Sequence, residues 1–116
     1  MLLCLISMLS ELTKKEIRSW ALSEPLVCKA YVFGSRARDD YREDSDLDIA
    51  VELIKPPGDE NLLATWIGEA DEMKQRASSF IHGFRIDLQW HNGDETPVIL
   101  EGLNQSSYVI YEQEKT

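Results

Sequence analysis

The stretch Val32-Phe-Gly-Ser-Arg-Ala-Arg-Asp-Asp-Tyr-Arg-Glu-Asp-Ser-Asp-Leu-Asp-Ile-Ala-Val51 decides the reading of this chain. Residues 26–33 upstream are rich in β-branched and aromatic side chains and predict a largely buried strand that Gly34-Ser35 ends. A second strand is predicted from Asp46 to Ile54. Side chains alternate along a strand, so Asp46 and Asp48 share one face, two steps of about 3.3 Å apart. Carboxylates that close repel unless a cation lies between them, and hard oxygens on short side chains suit Mg²⁺. The alternative is that Asp46 caps a loop and Asp48 faces water. Gly34-Ser35 lies where a strand turns toward a helix and can offer N–H groups and a hydroxyl to an anion, although Gly-Ser alone is a common turn. Gly-Ser, ten residues, then Asp-x-Asp arises by chance on the order of once in a thousand chains of this length.

Working outward, Thr13-Lys-Lys-Glu16 fits a capping box opening a helix to about Ser23, with Ile17, Trp20 and Ala21 on one side and Pro25 preventing continuation. Arg36 to Ser45 predicts a helical turn and an irregular link, and Pro56-Pro-Gly58 a surface loop. Leu62, Leu63, Trp66, Ile67, Ala70 and Met73, followed by Ala77, Phe80 and Ile81, recur at three and four residues and predict one long amphipathic helix closed by His82-Gly83. Phe84 to Trp90 alternates as a third strand. Asn92-Gly-Asp-Glu reads as a turn, and Thr96-Pro97 as a cap with first-turn proline opening a short helix to about Leu103. Ser107 to Tyr111 is a last strand or an extended tail. This order predicts an α+β fold: a small mixed β-sheet covered by helices.

The chain has 116 residues, enough for one domain, 1–116, with its core at about 25–112. At 43% hydrophobic and 28% charged it excludes a disordered, collagen-like or disulfide-scaffold protein. Twelve Lys+Arg against 21 Asp+Glu give −9, which opposes binding to phosphate backbones and anionic membranes. Cys4 and Cys28 have no metal-ligand spacing and read as reduced thiols of a cytoplasmic protein. The apolar start at residues 1–10 is too short to span a bilayer and lacks a basic leader. Residues 1–12 are expected to be flexible or to cover a partner or the core, and Met8 is a possible natural start.

On Gly34-Ser35, Asp46-Leu-Asp48 and the flanking Arg36-Ala-Arg and Asp44-Ser45, the sequence resembles the minimal nucleotidyltransferase domain of the DNA polymerase β-like superfamily, over residues 25 to 112. The resemblance implies the nucleotidyltransferase fold, with Gly34 and Ser35 holding a nucleoside triphosphate and Asp46 and Asp48 binding two Mg²⁺ ions. It implies a third carboxylate after the long helix, for which Asp87 matches in position and flanks. An Asp between Ile86 and Leu88 also has little reason to carry charge unless it faces a metal or cleft, the alternative being an edge acid in water. Asp39 stands where many relatives have Gly, which affects the loop shape and removes no expected ligand.

Arg36, Arg38 and Arg42 either meet triphosphate oxygens, Arg36 being best placed, or pair with Asp39, Asp40, Glu43 and Asp44. His82 and His91 receive no role, and Trp66, Met73, Phe80, Tyr108 and Tyr111 are read as packing residues. By resemblance the activity is transfer of a nucleoside monophosphate, AMP from ATP, to an acceptor hydroxyl, with Asp46, Asp48 and Asp87 as catalytic residues. Small stand-alone relatives act with a helical HEPN protein, often as the antitoxin of a toxin–antitoxin pair, which implies a protein hydroxyl as acceptor. The alternatives are a binding module that neutralises a partner by contact, and an aminoglycoside-type nucleotidyltransferase subunit.

Overall fold

The computed structural model describes residues 9–34, 37 and 46–113. Helix α1 (Glu11–Ser23) leads to strand β1 (Val27–Phe33), strand β2 (Leu47–Leu53) and helix α2 (Leu62–Phe80). Strand β3 (Ile86–Trp90), a 3₁₀ turn (Gly93–Glu95), helix α3 (Pro97–Gln105) and strand β4 (Ser107–Glu112) complete the chain. The strands form one sheet in the order β3-β2-β1-β4. β1 runs antiparallel to both β2 and β4, and β2 runs parallel to β3, so the sheet is mixed as expected.

The cap of α1 differs from expectation. Ser10, not Thr13, is the N-cap: its side chain accepts the Thr13 N–H at 3.1 Å, and its Oγ lies 2.9 Å from the Thr13 hydroxyl. The helix therefore starts at Glu11, and Leu9 is already in the core, so residues 9–12 belong to the folded body while residues 1–8 lie outside the described residues. At the other end the Glu24 N–H bonds to Ala21 O, and Pro25 follows. α2 is capped by Asn61, which accepts from Ala64 N at 2.8 Å, and the Thr65 hydroxyl in its first turns donates to Asp59 at 2.8 Å, holding the preceding loop to the helix. Its C-cap is Ile81 in an extended conformation, and Gly83 takes its positive φ of 88° two residues later.

The alternation of β2 divides the sheet into two faces. Leu47, Ile49 and Val51 are fully buried in a core with Ile17 and Trp20 of α1 and Met73 of α2. Burying each large apolar side chain contributes about 1.5–3 kcal/mol, so this face is the main source of stability. The opposite face is covered by α3: Phe33, Ala50 and Leu103 form a second, small cluster with Tyr31 and Ile99 packed on it. Not every apolar position of α2 meets the core, contrary to the periodicity. Leu63, Ile67 and Phe80 are exposed, because the side of α2 that meets the core carries Thr65, Met73, Ala77 and the following Ile81, with Leu62 and Trp66 partly buried against it.

Among the described residues one charged group lies inside the helical layer. Glu24, 3% exposed, accepts from Trp20 Nε1 at 2.9 Å and from Arg76 at 2.8 and 2.9 Å, tying the end of α1 to the middle of α2. The bidentate geometry supplies the hydrogen bonds that a buried carboxylate needs. Replacing Arg76 by Ala strands that carboxylate, and urea unfolding at neutral pH should show a loss of about 2–3 kcal/mol, reduced because Arg76 itself is partly exposed. A loss under about 0.5 kcal/mol would mean that the pair does not hold the helices together.

Candidate functional site

β1 ends at Phe33, which is the register partner of Asp48 on β2. Gly34 follows with φ 72°, a left-handed conformation that L side chains rarely adopt. A Cβ built on Gly34 would collide with Oδ2 of Asp48 and stand 3.3 Å from its Cγ. The glycine is needed on both counts, backbone sign and space. It lets the turn lie directly against a carboxylate, a reason different from the close approach to an anion that the sequence suggested. The Gly34 carbonyl accepts from Ala37 N at 3.1 Å and from the Ser106 hydroxyl at 3.4 Å, which fixes the turn to the end of α3.

Across the parallel pair, Asp48 is the register partner of Asp87. Register partners in a sheet show their side chains on the same face, with neighbouring strands about 4.8 Å apart. Asp48 and Asp87 are therefore adjacent, both partly buried, on the α3 face and beside Gly34. Asp87 Oδ1 accepts from the Gln89 amide at 2.8 Å. Asp46, just before β2, accepts from Arg85 Nε at 2.6 Å, and both of these side chains reach solvent. Sequence reading missed Arg85 and Gln89, yet both were accessible to it: they flank Asp87 at two residues either side, and strand alternation gives all three one face.

The structure thus brings Gly34, Asp48 and Asp87 together, with Asp46 at the mouth engaged by Arg85. Ser35 and Arg36, the other two triphosphate ligands expected, lie outside the described residues, as do Arg38, Asp39 and Arg42. Among the described residues no group of three or more His, Cys, Asp or Glu side chains is placed to hold one ion. The pair Asp48 and Asp87 nonetheless fits a divalent cation in kind: the donors are hard oxygens, side by side, against a turn with no side chain to fill the space.

Further along the same face, the Tyr31 hydroxyl donates to Glu52, and the ring packs edge-on to His91 with centroids 5.6 Å apart. Burial and the neighbouring Glu52 carboxylate push the Tyr31 phenol up, so it stays a neutral O–H donor well past the usual range. Cys28 is a free thiol pushed up mainly by burial, which makes it less reactive than an exposed cysteine.

The family model for polymerase β nucleotidyltransferases matches residues 15–116, nearly the whole chain. The chain belongs to this family. Its fold recurs in a crystal structure described as a toxin–antitoxin with AMP-PNP, at TM-score 0.61 and 20% identity, covering 89% of this chain and 76% of that one. It recurs also in a candidate nucleotidyltransferase from Sulfolobus solfataricus, at TM-score 0.50 and 24% identity, covering 90% of this chain and 81% of that one. At these identities the likeness is one of fold. No curated protein matches the chain. Among the described residues no helix is long and apolar enough to cross a membrane.

Gly34→Ala tests the crowding at the turn. The left-handed backbone alone costs a Cβ-bearing residue about 1–2 kcal/mol, and the collision forces the Asp48 carboxylate to move. Urea unfolding should register that loss, and the ¹H–¹⁵N resonances of Asp48 and Asp87 should shift; an unperturbed Asp48 with full stability would contradict the packing.

Proposed function

We propose that this protein transfers AMP from ATP to a hydroxyl on a partner protein of the helical HEPN type, as the antitoxin of a toxin–antitoxin pair. The observation that carries the reading is the register of Asp48 with Asp87 beside the glycine turn, in a chain of the nucleotidyltransferase family. The fold neighbour described as a toxin–antitoxin with AMP-PNP supports the choice of an adenine nucleotide and of a protein partner.

In this reading Gly34, Ser35 and Arg36 hold the β- and γ-phosphates, with main-chain N–H groups, hydroxyl and guanidinium as donors. Asp46, Asp48 and Asp87 hold two Mg²⁺ ions, which when bound neutralise triphosphate charge and polarise the α-phosphorus. Asp46 leaves Arg85 to do so, and Arg85 then becomes available to a phosphate oxygen. The acceptor oxygen attacks the α-phosphorus, the bond to the β-phosphate bridging oxygen breaks, and pyrophosphate leaves with that electron pair. Asp87 receives the acceptor proton, and the Gln89 amide holds its Oδ1 in place for this.

A contact-only binding module is the second reading, favoured by the ion pair that engages Asp46. Calorimetric titration with AMP-PNP and Mg²⁺ separates the two. Metal-dependent binding by wild type that falls at least about 100-fold in Asp46→Ala/Asp48→Ala is the expected result, equivalent to about 2.7 kcal/mol. Equal affinity in the double variant, or no binding by wild type, would favour the contact-only module. In a transfer assay with the partner, Asp87→Asn should lower turnover by about 100-fold or more while AMP-PNP binding changes less.

A further inference from the structure

The parallel pairing of β2 with β3 begins one step before Asp48 and Asp87. Leu47 pairs with Ile86, and the Leu47 N–H donates to Arg85 O at 2.9 Å, which stations Arg85 beside Asp46 at the mouth of the site. Side chains two residues apart on a strand share a face, so Arg85 stands on the face of Asp87 and Asp46 on that of Asp48. Two neighbouring rows of one sheet face therefore carry Asp46 and Arg85, then Asp48 and Asp87. Across the first row Arg85 Nε donates to Asp46 Oδ1 at 2.6 Å, a charge-assisted hydrogen bond.

This pair can open at little cost. The Arg85 side chain is 79% exposed and that of Asp46 37%, so water takes over as partner for both when they separate. An ion pair this exposed contributes at most about fivefold to an equilibrium. The main-chain bond from Leu47 keeps Arg85 at the mouth whichever partner its guanidinium takes.

Charge decides what opens it. A divalent cation taken up alone displaces Arg85 from Asp46 and then has that guanidinium as a neighbour of like charge on the same face. A triphosphate taken up alone meets Asp46, Asp48 and Asp87, three carboxylates of its own sign. When both enter, the phosphate oxygens give the displaced guanidinium an anion and the carboxylates receive a cation. Two ligands that are each opposed alone and each favoured by the other are thermodynamically coupled, by the same factor in both directions.

We propose that Arg85 is an interlock: by holding Asp46 in the empty site, it makes the binding of a divalent metal depend on the arrival of a nucleoside triphosphate. Free metal is kept out of the site, and the two ligands enter as a pair. The interlock rests on the transfer reading above and adds the regulation of that site.

Metal and triphosphate also associate in solution, so the decisive readout is metal without nucleotide. Mn²⁺ is titrated into the full chain, its uptake followed by the loss of the electron paramagnetic resonance signal of the free ion and by broadening of the Asp48 and Asp87 amides. Without nucleotide, Arg85→Gln should bind Mn²⁺ at least about fivefold tighter than wild type. The same variant should bind AMP-PNP with Mg²⁺ at least about tenfold more weakly, having lost one charge-assisted bond. Arg85→Lys keeps the charge and should stay within about threefold of wild type for Mn²⁺ alone. A merely structural role for Arg85 would weaken both ligands together, whereas the interlock moves them in opposite directions. Mn²⁺ affinity that is unchanged or lowered in Arg85→Gln would overturn the interlock and leave the transfer reading standing. Wild type that takes up no Mn²⁺ at Asp48 and Asp87 even with AMP-PNP would overturn both.

Discussion

The contact between the Gly34 turn and the Asp48 carboxylate is the constraint on which the rest of the site depends. There is room for it only because position 34 has no Cβ and adopts a positive φ. A one-residue slip of β1 against β2 would turn Asp48 into the hydrophobic core and bring Leu47 or Ile49 out, so the register is held by the whole buried face. That same register fixes which residue of β3 stands beside Asp48. Placing Asp87 there follows from strand pairing, without any special local geometry.

The two faces of the sheet do different work. The helical face buries Ile17, Trp20, Leu47, Ile49 and Met73 and is closed by the Trp20–Glu24–Arg76 network, which leaves no polar group of Glu24 without a partner. The other face has only a small apolar patch under α3 and is otherwise polar: Tyr31, Asp48, Glu52, Asp87 and Gln89. A sheet stabilised so strongly on one side tolerates carboxylates in adjacent positions on the other, where they repel unless something cationic arrives.

Much of this was legible in the sequence because the relevant signals have short periods. Residue type and alternation placed the first three strands, while Ser107 to Tyr111 reads equally as a strand or an extended tail; Gly34, Asp46 and Asp48 stand out by residue type and spacing, and Asp87 by the family resemblance and its apolar flanks. Among the described residues the mixed sheet and three helices follow the order that the breakers Pro25, Pro56-Pro57 and Gly83 suggested. What was not legible depends on pairing across the chain. Ser10 outcompetes Thr13 as the cap because the helix starts one turn earlier than the Glu16 spacing implied. Leu63, Ile67 and Phe80 satisfy helical periodicity yet lie outside the strip that meets the sheet, which only the crossing of α2 over the sheet decides. The Arg85–Asp46 pair likewise needed the parallel register of β3.

The central claim is that Gly34, Asp48 and Asp87 form one nucleotide and metal site. Titrating ¹⁵N-labelled protein with Mn²⁺ in the presence of AMP-PNP tests it most directly, since a paramagnetic ion broadens the amides nearest to it first. The account predicts that Gly34, Asp48 and Asp87 broaden together at low Mn²⁺ and recover on addition of excess Mg²⁺. Broadening that instead begins at the exposed acids of α2, or that does not depend on AMP-PNP and Mg²⁺, would contradict it.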